Sequence, residues 1–423
     1  MFEKIKIGHI LIVSLILRLI IAPLAEHGDV LNYYWWSKDL FERGLMGFYD
    51  RSIVNAMPPT YPPITTYVFW LTSHFHKLIW NVSWFINLKI SFFPSNFIFW
   101  LESDEGWYFI NKLPGILADL GISLIFYRFL KDLKSEKAGK LAAALFAFNP
   151  AFFYNSSLWG QTDSLYALPL ILSFYLLYRK KYVLSILSFL LALLTKPTAF
   201  FVFLPFFVFW LKKVRLKDIY WSFVSFICVV LMLYLPFQKT NLITWIFNFY
   251  KDSLSGEIDY IVANAFNFWG LVHGFANVSE RAPFLGVQSY ILGCLLVFLI
   301  NLSLLVIYVK RGKGEFKNLA LLSVVFSYTF FMFLPRVHER YFYPSLLMLT
   351  FLASLDKRVR KVFILVSFVH LINLYHFWWV PRAKIFIELL SNILVERTLI
   401  VLNIIIYGYL LWIFGKDNVK KYK

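Results

Sequence analysis

The chain has 423 residues, of which 60% are apolar, 21% aromatic and only 16% charged, a balance that excludes a soluble enzyme and describes a polytopic membrane protein. Its net charge of +18 is spread over short basic clusters between apolar segments, with no basic face long enough to track phosphates, so nucleic-acid binding is excluded as a role. The two cysteines, Cys228 and Cys294, lie in apolar runs and read as small core residues rather than as a disulfide or a metal site.

Lys4 and Lys6 precede the apolar run 7–24, which no small-residue cleavage pattern follows. It reads as a retained first span that starts in the cytoplasm. Arg18 inside it is costly in lipid, and either snorkels outward or faces the bundle interior. Further apolar segments at 112–129, 141–154, 165–178, 182–194, 197–211, 219–235, 290–309, 316–334, 341–354, 362–380 and 398–414 bring the expected total to about twelve membrane helices in an all-α polytopic fold. Segments 182–194 and 197–211 are too short to cross. They predict a short broken hairpin whose turn, Thr195-Lys196-Pro197, is buried in protein or faces a water-filled cavity.

Alternating sides along these spans puts the basic turns together. Arg128 to Lys140, Arg179-Lys180-Lys181, Lys212 to Lys217, Lys310 to Lys317, Lys357 to Lys361 and the Lys-rich C-terminus all fall on the cytoplasmic side, with both termini. The outer loops are then 25–111, 155–164, 236–289, 335–340 and 381–397. Loop 25–111 carries two apolar stretches, 64–80 and 82–101, dense in Trp and read as helices lying partly at the membrane interface. With no repeat and no soluble linker, 1–423 is expected to be one integral-membrane domain in a cell membrane.

The polar constellations fall on the outer side. His27-Gly28-Asp29 opens the first outer loop. Asp29 is either a helix cap or a general base, since a carboxylate among aromatic and lipid surfaces can take a proton from a sugar hydroxyl. In Trp159-Gly160-Gln161-Thr162-Asp163, Trp159 offers a flat ring and Gln161 an amide to a sugar, while Asp163 suits either a sugar contact or a helix N-cap. Lys196, at the buried turn, pairs with an acid of the bundle or reaches an anionic ligand. Asn264 and Asn267, flanked by aromatics, are expected to touch carbohydrate or to form turns. The cluster Arg336-Val337-His338-Glu339-Arg340 is either an interfacial turn neutralised by Glu339 or a phosphate clamp, because Arg forks match phosphate oxygens. No zinc-protease motif, P-loop or Cys/His ligand spacing occurs, and neither a metal nor a cofactor is expected.

In order along the chain, His27-Gly28-Asp29, Tyr61-Pro62-Pro63, Lys112-Leu113-Pro114-Gly115-Ile116-Leu117-Ala118-Asp119, Phe148-Asn149-Pro150, Trp159-Gly160-Gln161-Thr162-Asp163-Ser164, Thr195-Lys196-Pro197, Asn264-Ala265-Phe266-Asn267 and Arg336-Val337-His338-Glu339-Arg340-Tyr341 resemble the integral-membrane glycosyltransferases of the GT-C superfamily. The resemblance is greatest to prokaryotic mannosyltransferase-like proteins related to the enzyme that adds the second mannose of glycosylphosphatidylinositol. It implies a polyprenyl-phosphate-sugar donor, an active site on the outer face and a catalytic acid in the first outer loop, which Asp29 matches by position. Relatives with lipid-pyrophosphate donors carry metal-binding acids in the second outer loop, but no Asp-x-Asp stands at Asp163.

The expected activity is inverting transfer of a hexose, mannose by the resemblance, to a glycan, lipid or protein acceptor. Asp29 acts as base, and Arg336, His338, Arg340 and Lys196 hold the departing phosphate. The alternative is a transporter or flippase of lipid-linked sugars, suggested by the broken hairpin. Against it, the polar residues cluster on one face rather than at the midplane.

Overall fold

A computed structural model describes residues 5–238, 241–255, 259–311 and 314–419. They form an all-α architecture whose only strands are two-residue pieces. Six of the described helices are long and apolar enough to cross a bilayer: Ile7–Leu24, Asp104–Leu133, Leu216–Phe237, Ser289–Arg311, Phe316–Phe333 and Ile393–Asn418. Shorter apolar helices, Asp163–Tyr178, Tyr182–Thr195 and Pro197–Leu211, are interleaved with them. This is a membrane protein by length and composition of its helices.

Burial separates the helices into two kinds. The apolar stretch of Leu216–Phe237 is 11% buried, and a helix apolar all round yet so exposed has a lipid-facing surface. The corresponding stretch of Phe316–Phe333 is 78% buried and forms the centre. It packs against Tyr343–Leu355, while Asp104–Leu133 packs against Glu136–Ala147 and Asp163–Tyr178. Phe126, Phe146, Tyr166, Phe174, Tyr328 and Phe351 are among the rings that fill this core. Asp104–Leu133 starts cleanly: the Ser103 hydroxyl accepts the Gly106 N–H, and Asp104 and Glu105 in its first turn suit the positive end of the helix dipole.

The helix ends sort into two groups. At one end lie the basic turns, where Arg179 pairs with Asp132 at 2.7 Å, Lys317 with Asp356 at 3.1 Å, and the Lys134 ammonium reaches the Leu355 carbonyl. At the other end the segments expected to be outer loops meet one another. Val262–Ala263 pairs in parallel with Val337–His338, and the Arg336 N–H donates to the Ile261 carbonyl, joining loops 236–289 and 335–340. The Tyr154 hydroxyl donates to the Val380 carbonyl at 2.5 Å, tying the 154–159 turn to the segment that enters loop 381–397.

One feature differs from the sequence expectation, and a second settles an alternative that the sequence left open. The apolar stretches of the first loop do not break near Asn81: Pro63–Lys89 is one helix of 27 residues, followed by Ser95–Glu102. Asn81 is tolerated because a helix interior accepts Asn at a cost of under ~1 kcal/mol. The second is Arg18, for which two placements were open. It points inward, its Nε 2.8 Å from Asp119 Oδ2 with both side chains fully buried, and its Nη1 donates to Ser14 and to the Ala147 carbonyl. The expected hairpin does form. The Trp210 indole donates to the Tyr182 carbonyl, and Phe189 lies against Phe203 and Phe206, so the two short segments run back along each other.

Candidate active site

The helix Gly28–Arg43 presents the first acid. His27 caps it by accepting the Asp29 N–H on Nδ1 at 3.1 Å, so Asp29 is not the cap but stands in the first turn with its carboxylate free for other partners. Those partners come from the segment 154–161. Helix Pro150–Phe153 runs on into a π-helical turn, Tyr154–Trp159, which Gly160 ends in the left-handed region at φ +83°. The widened turn and the reversal aim the polar side chains on either side of Gly160 at one carboxylate oxygen. Trp159 Nε1 donates to Asp29 Oδ2 at 2.9 Å, and Gln161 Nε2 donates to the same oxygen. Asp29 Oδ1 receives no hydrogen bond from the described residues, and the side chain keeps 25% of its surface exposed.

Trp159 is fully buried. One neighbour of its ring is His27, centroids 4.3 Å apart, and another is the Arg340 guanidinium, 5.9 Å from the centroid. It is therefore a wall of the site that holds Asp29, not the open sugar platform expected from the sequence. Gln161 is likewise buried, its carbonyl accepting the Tyr33 hydroxyl, which contacts the Tyr61 hydroxyl at 3.0 Å. Neither tyrosine was assigned a role from the sequence: Tyr61 entered only within the Tyr61-Pro62-Pro63 motif, and one more tyrosine in an aromatic membrane chain carries no distinguishing signal.

The cations fall into three situations. Arg336 makes a bidentate pair with Glu280, 2.5 and 2.6 Å, and is turned toward loop 236–289. Lys196 is paired with Asp163 at 2.6 Å, both buried, and the Asn155 amide donates to the other Asp163 oxygen. Arg340 is different. Its nearest carboxylate contact is a long 3.4 Å one to Glu339, and its buried Nε has no hydrogen-bond partner among the described residues. Burial opposes its charge, but the Asp29 and Glu339 carboxylates outweigh burial and raise Arg340 well above its usual value. His338 sits half-buried between the fields of Arg340 and Lys196, and burial together with those two charges holds it well below its ordinary value, which favours the neutral imidazole.

Glu339, fully buried, accepts from the Trp378 indole at 3.3 Å and from Asn264 at 3.4 Å. Burial pushes it up to about 7 against the lowering effect of Arg340. Trp378 also packs edge-on to His27, 4.7 Å between centroids, which closes a ring of contacts from Asp29 through Trp159, Arg340 and Glu339 back to His27. Burial lowers His27 to about 4, and its buried Nε2 has no hydrogen-bond partner among the described residues.

The structure thus brings together Asp29, Trp159, Gln161, His338 and Arg340, with Lys196 beside them but neutralised. It does not bring Arg336 to Asp29. Asp163 and Asn267, expected to touch a sugar, are fully buried with their side chains engaged by protein. Asp163 takes Lys196 and Asn155, while Asn267 caps helix Phe268–His273 and donates to the Phe331 carbonyl. Asn264 sits at φ +64° and is held by Glu339 and His376. No protein-family model matches the chain, and no curated protein matches its sequence.

Proposed function

We propose that the chain is an inverting glycosyltransferase that moves a hexose, mannose by its resemblance, from a polyprenyl-phosphate donor to an acceptor hydroxyl at the outer membrane face. The single observation that carries the reading is a half-committed carboxylate beside an uncommitted guanidinium. Among the described residues, Asp29 has one oxygen fixed by Trp159 and Gln161 and the other without a hydrogen bond, while Arg340, across the Trp159 ring, has a buried donor without a partner.

Asp29 Oδ1 takes the acceptor's proton as that oxygen attacks the anomeric carbon, and the bond from that carbon to the phosphate oxygen breaks. The electron pair leaves with the phosphate, which needs positive charge rather than a proton. Arg340 supplies it in a desolvated setting where the attraction is strong, and neutral His338 adds a donor. The twelve spans of the GT-C-like arrangement, both termini in the cytoplasm and the site end outside, belong to the same reading.

Purified protein in liposomes, given a polyprenyl-phosphate mannose and a disaccharide-lipid acceptor, is expected to release polyprenyl phosphate. Movement of the intact donor between leaflets without release would instead establish the carrier. The orientation is tested separately by a cysteine at exposed Ser279, expected to label from outside the cell, and one at exposed Ser135, expected to label only after permeabilisation. The reverse labelling would invert the topology.

A further inference from the structure

Three positions on one face of Asp104–Leu133, spaced i, i+3 and i+7, hold the loop that carries Trp159 and Gln161. Asp119 accepts the Ser156 and Ser164 hydroxyls at 2.6 and 2.5 Å while paired with Arg18. At Gly115 the helix backbone passes so near the Gln161 carbonyl that an added Cβ would lie 3.4 Å from it. Lys112 completes the row with an unusual set of partners. Its ammonium is buried and pairs with no carboxylate among the described residues. Instead it donates to three backbone carbonyls: Ala22 and Ala25 at 2.7 Å each, and Leu158 at 2.9 Å.

Two of those carbonyls belong to the turn that leads into His27 and Asp29, and the third belongs to the residue before Trp159. One ammonium therefore joins the segment bearing the carboxylate to the segment bearing its two donors. The stem is used as well: a Cβ on Gly160 would come within 2.9 Å of Lys112 Cγ and 2.6 Å of Val30 Cγ2, so only a glycine fits between this lysine and the Asp29 helix.

We propose that Lys112 is a positioning residue: by pinning the Ala22, Ala25 and Leu158 carbonyls to one point it sets the register in which Asp29 meets Trp159 and Gln161. That this register matters for turnover rests on Asp29 being the base proposed above; the pin itself does not. A lysine suits the task because a tetrahedral ammonium has three donors to divide among three carbonyls. Three carbonyls buried with no donor would have to move apart to find other partners.

The test uses the full-length protein in nanodiscs with 5-fluorotryptophan placed at Trp159, or at lipid-facing Trp221 as the control, read by fluorine NMR together with polyprenyl-phosphate release. Lys112→Met keeps the stem and removes all three donors. It is expected to shift or split the Trp159 signal and leave the Trp221 signal in place. Turnover should fall about a hundredfold with donor KM within about twofold, as for a displaced reacting group whose substrate contacts persist. Gly160→Ala, which intrudes on the same joint from the other side, is expected to move the same signal. If Lys112→Met does not fold, Lys112→Gln, which keeps donors for only part of the set, takes its place with the same expectations. An unshifted Trp159 signal in whichever Lys112 variant folds overturns the proposal. If the wild-type protein releases no polyprenyl phosphate, the transferase reading falls, while the Trp159 signal still decides the pin.

Discussion

Trp159 donates its indole N–H to Asp29 Oδ2 at 2.9 Å, joining two residues separated by 130 positions in the chain. With Gln161 bound to the same oxygen, the carboxylate can rotate little, and its second oxygen is the one available to an incoming hydroxyl. Asp29→Asn can keep both donors satisfied through its amide oxygen, yet cannot take a proton. It is expected to fold and bind donor normally while losing about 10²–10⁴ of turnover. Wild-type turnover in this variant would remove Asp29 from the chemistry.

Arg340 and Arg336 make opposite predictions although four residues apart. Arg340→Ala removes the guanidinium with the free donor, and donor affinity and turnover should both decline, by about 1.5–3 kcal/mol for hydrogen bonds to a charged group. Arg340→Lys restores charge without the fork and should recover only part. Arg336→Ala frees Glu280 at a partly exposed site and should change thermal stability by about 1 kcal/mol or less, leaving donor binding intact. Isothermal titration with donor separates the cases, and equal losses in both would return the clamp to Arg336.

The buried pair Lys196 and Asp163 should behave as a unit. Lys196→Met strands Asp163, which is fully buried, and should cost about 3–5 kcal/mol in unfolding experiments in mixed micelles. Adding Asp163→Asn should recover most of that loss by removing the stranded charge. Full additivity of the two changes would show that the pair is not coupled.

Glu339 and His27 contribute to stability with opposite signs. Folded Glu339 keeps its proton up to about 7, against an ordinary value of 4.5, so its contribution is fully present below 4.5 and is lost as pH rises to about 7. Folded His27 stays neutral down to about 4, against 6.5, so its contribution is present above 6.5 and is lost as pH falls toward 4. Their slopes oppose in the shared range, where His338, also held below its ordinary value, adds to the slope of His27. Glu339→Gln removes one slope. Relative to wild type it should gain stability between pH 4.5 and 7, on the order of 3 kcal/mol in all. A constant difference across that range would show that Glu339 does not titrate there.

How far the sequence reached differs from residue to residue. Apolar run length and the clustering of Lys and Arg marked a membrane protein, separated the two groups of turns and placed Asp29 and Arg340 in one group, because hydropathy and charge act locally and can be summed along the chain. The hairpin at Thr195-Lys196-Pro197 was legible for the same reason: two apolar segments each too short to cross, joined at a proline, have few other solutions.

What the sequence left open was pairing. Whether Arg18 met lipid or Asp119, whether Lys196 met a ligand or Asp163, and which of Arg336 and Arg340 stayed uncommitted depended on partners 33 to 101 residues away or in another loop. Lys112 stood only at the head of a resemblance motif with no role of its own, since its three partners are backbone carbonyls, identical in every residue type. Composition and periodicity determined by themselves that this chain is a helical membrane protein with its polar chemistry gathered at one end. Only the tertiary structure decided which charges cancel one another and which stay available, because a buried charge takes its role from the nearest opposite charge in space, and distance along the sequence does not measure that.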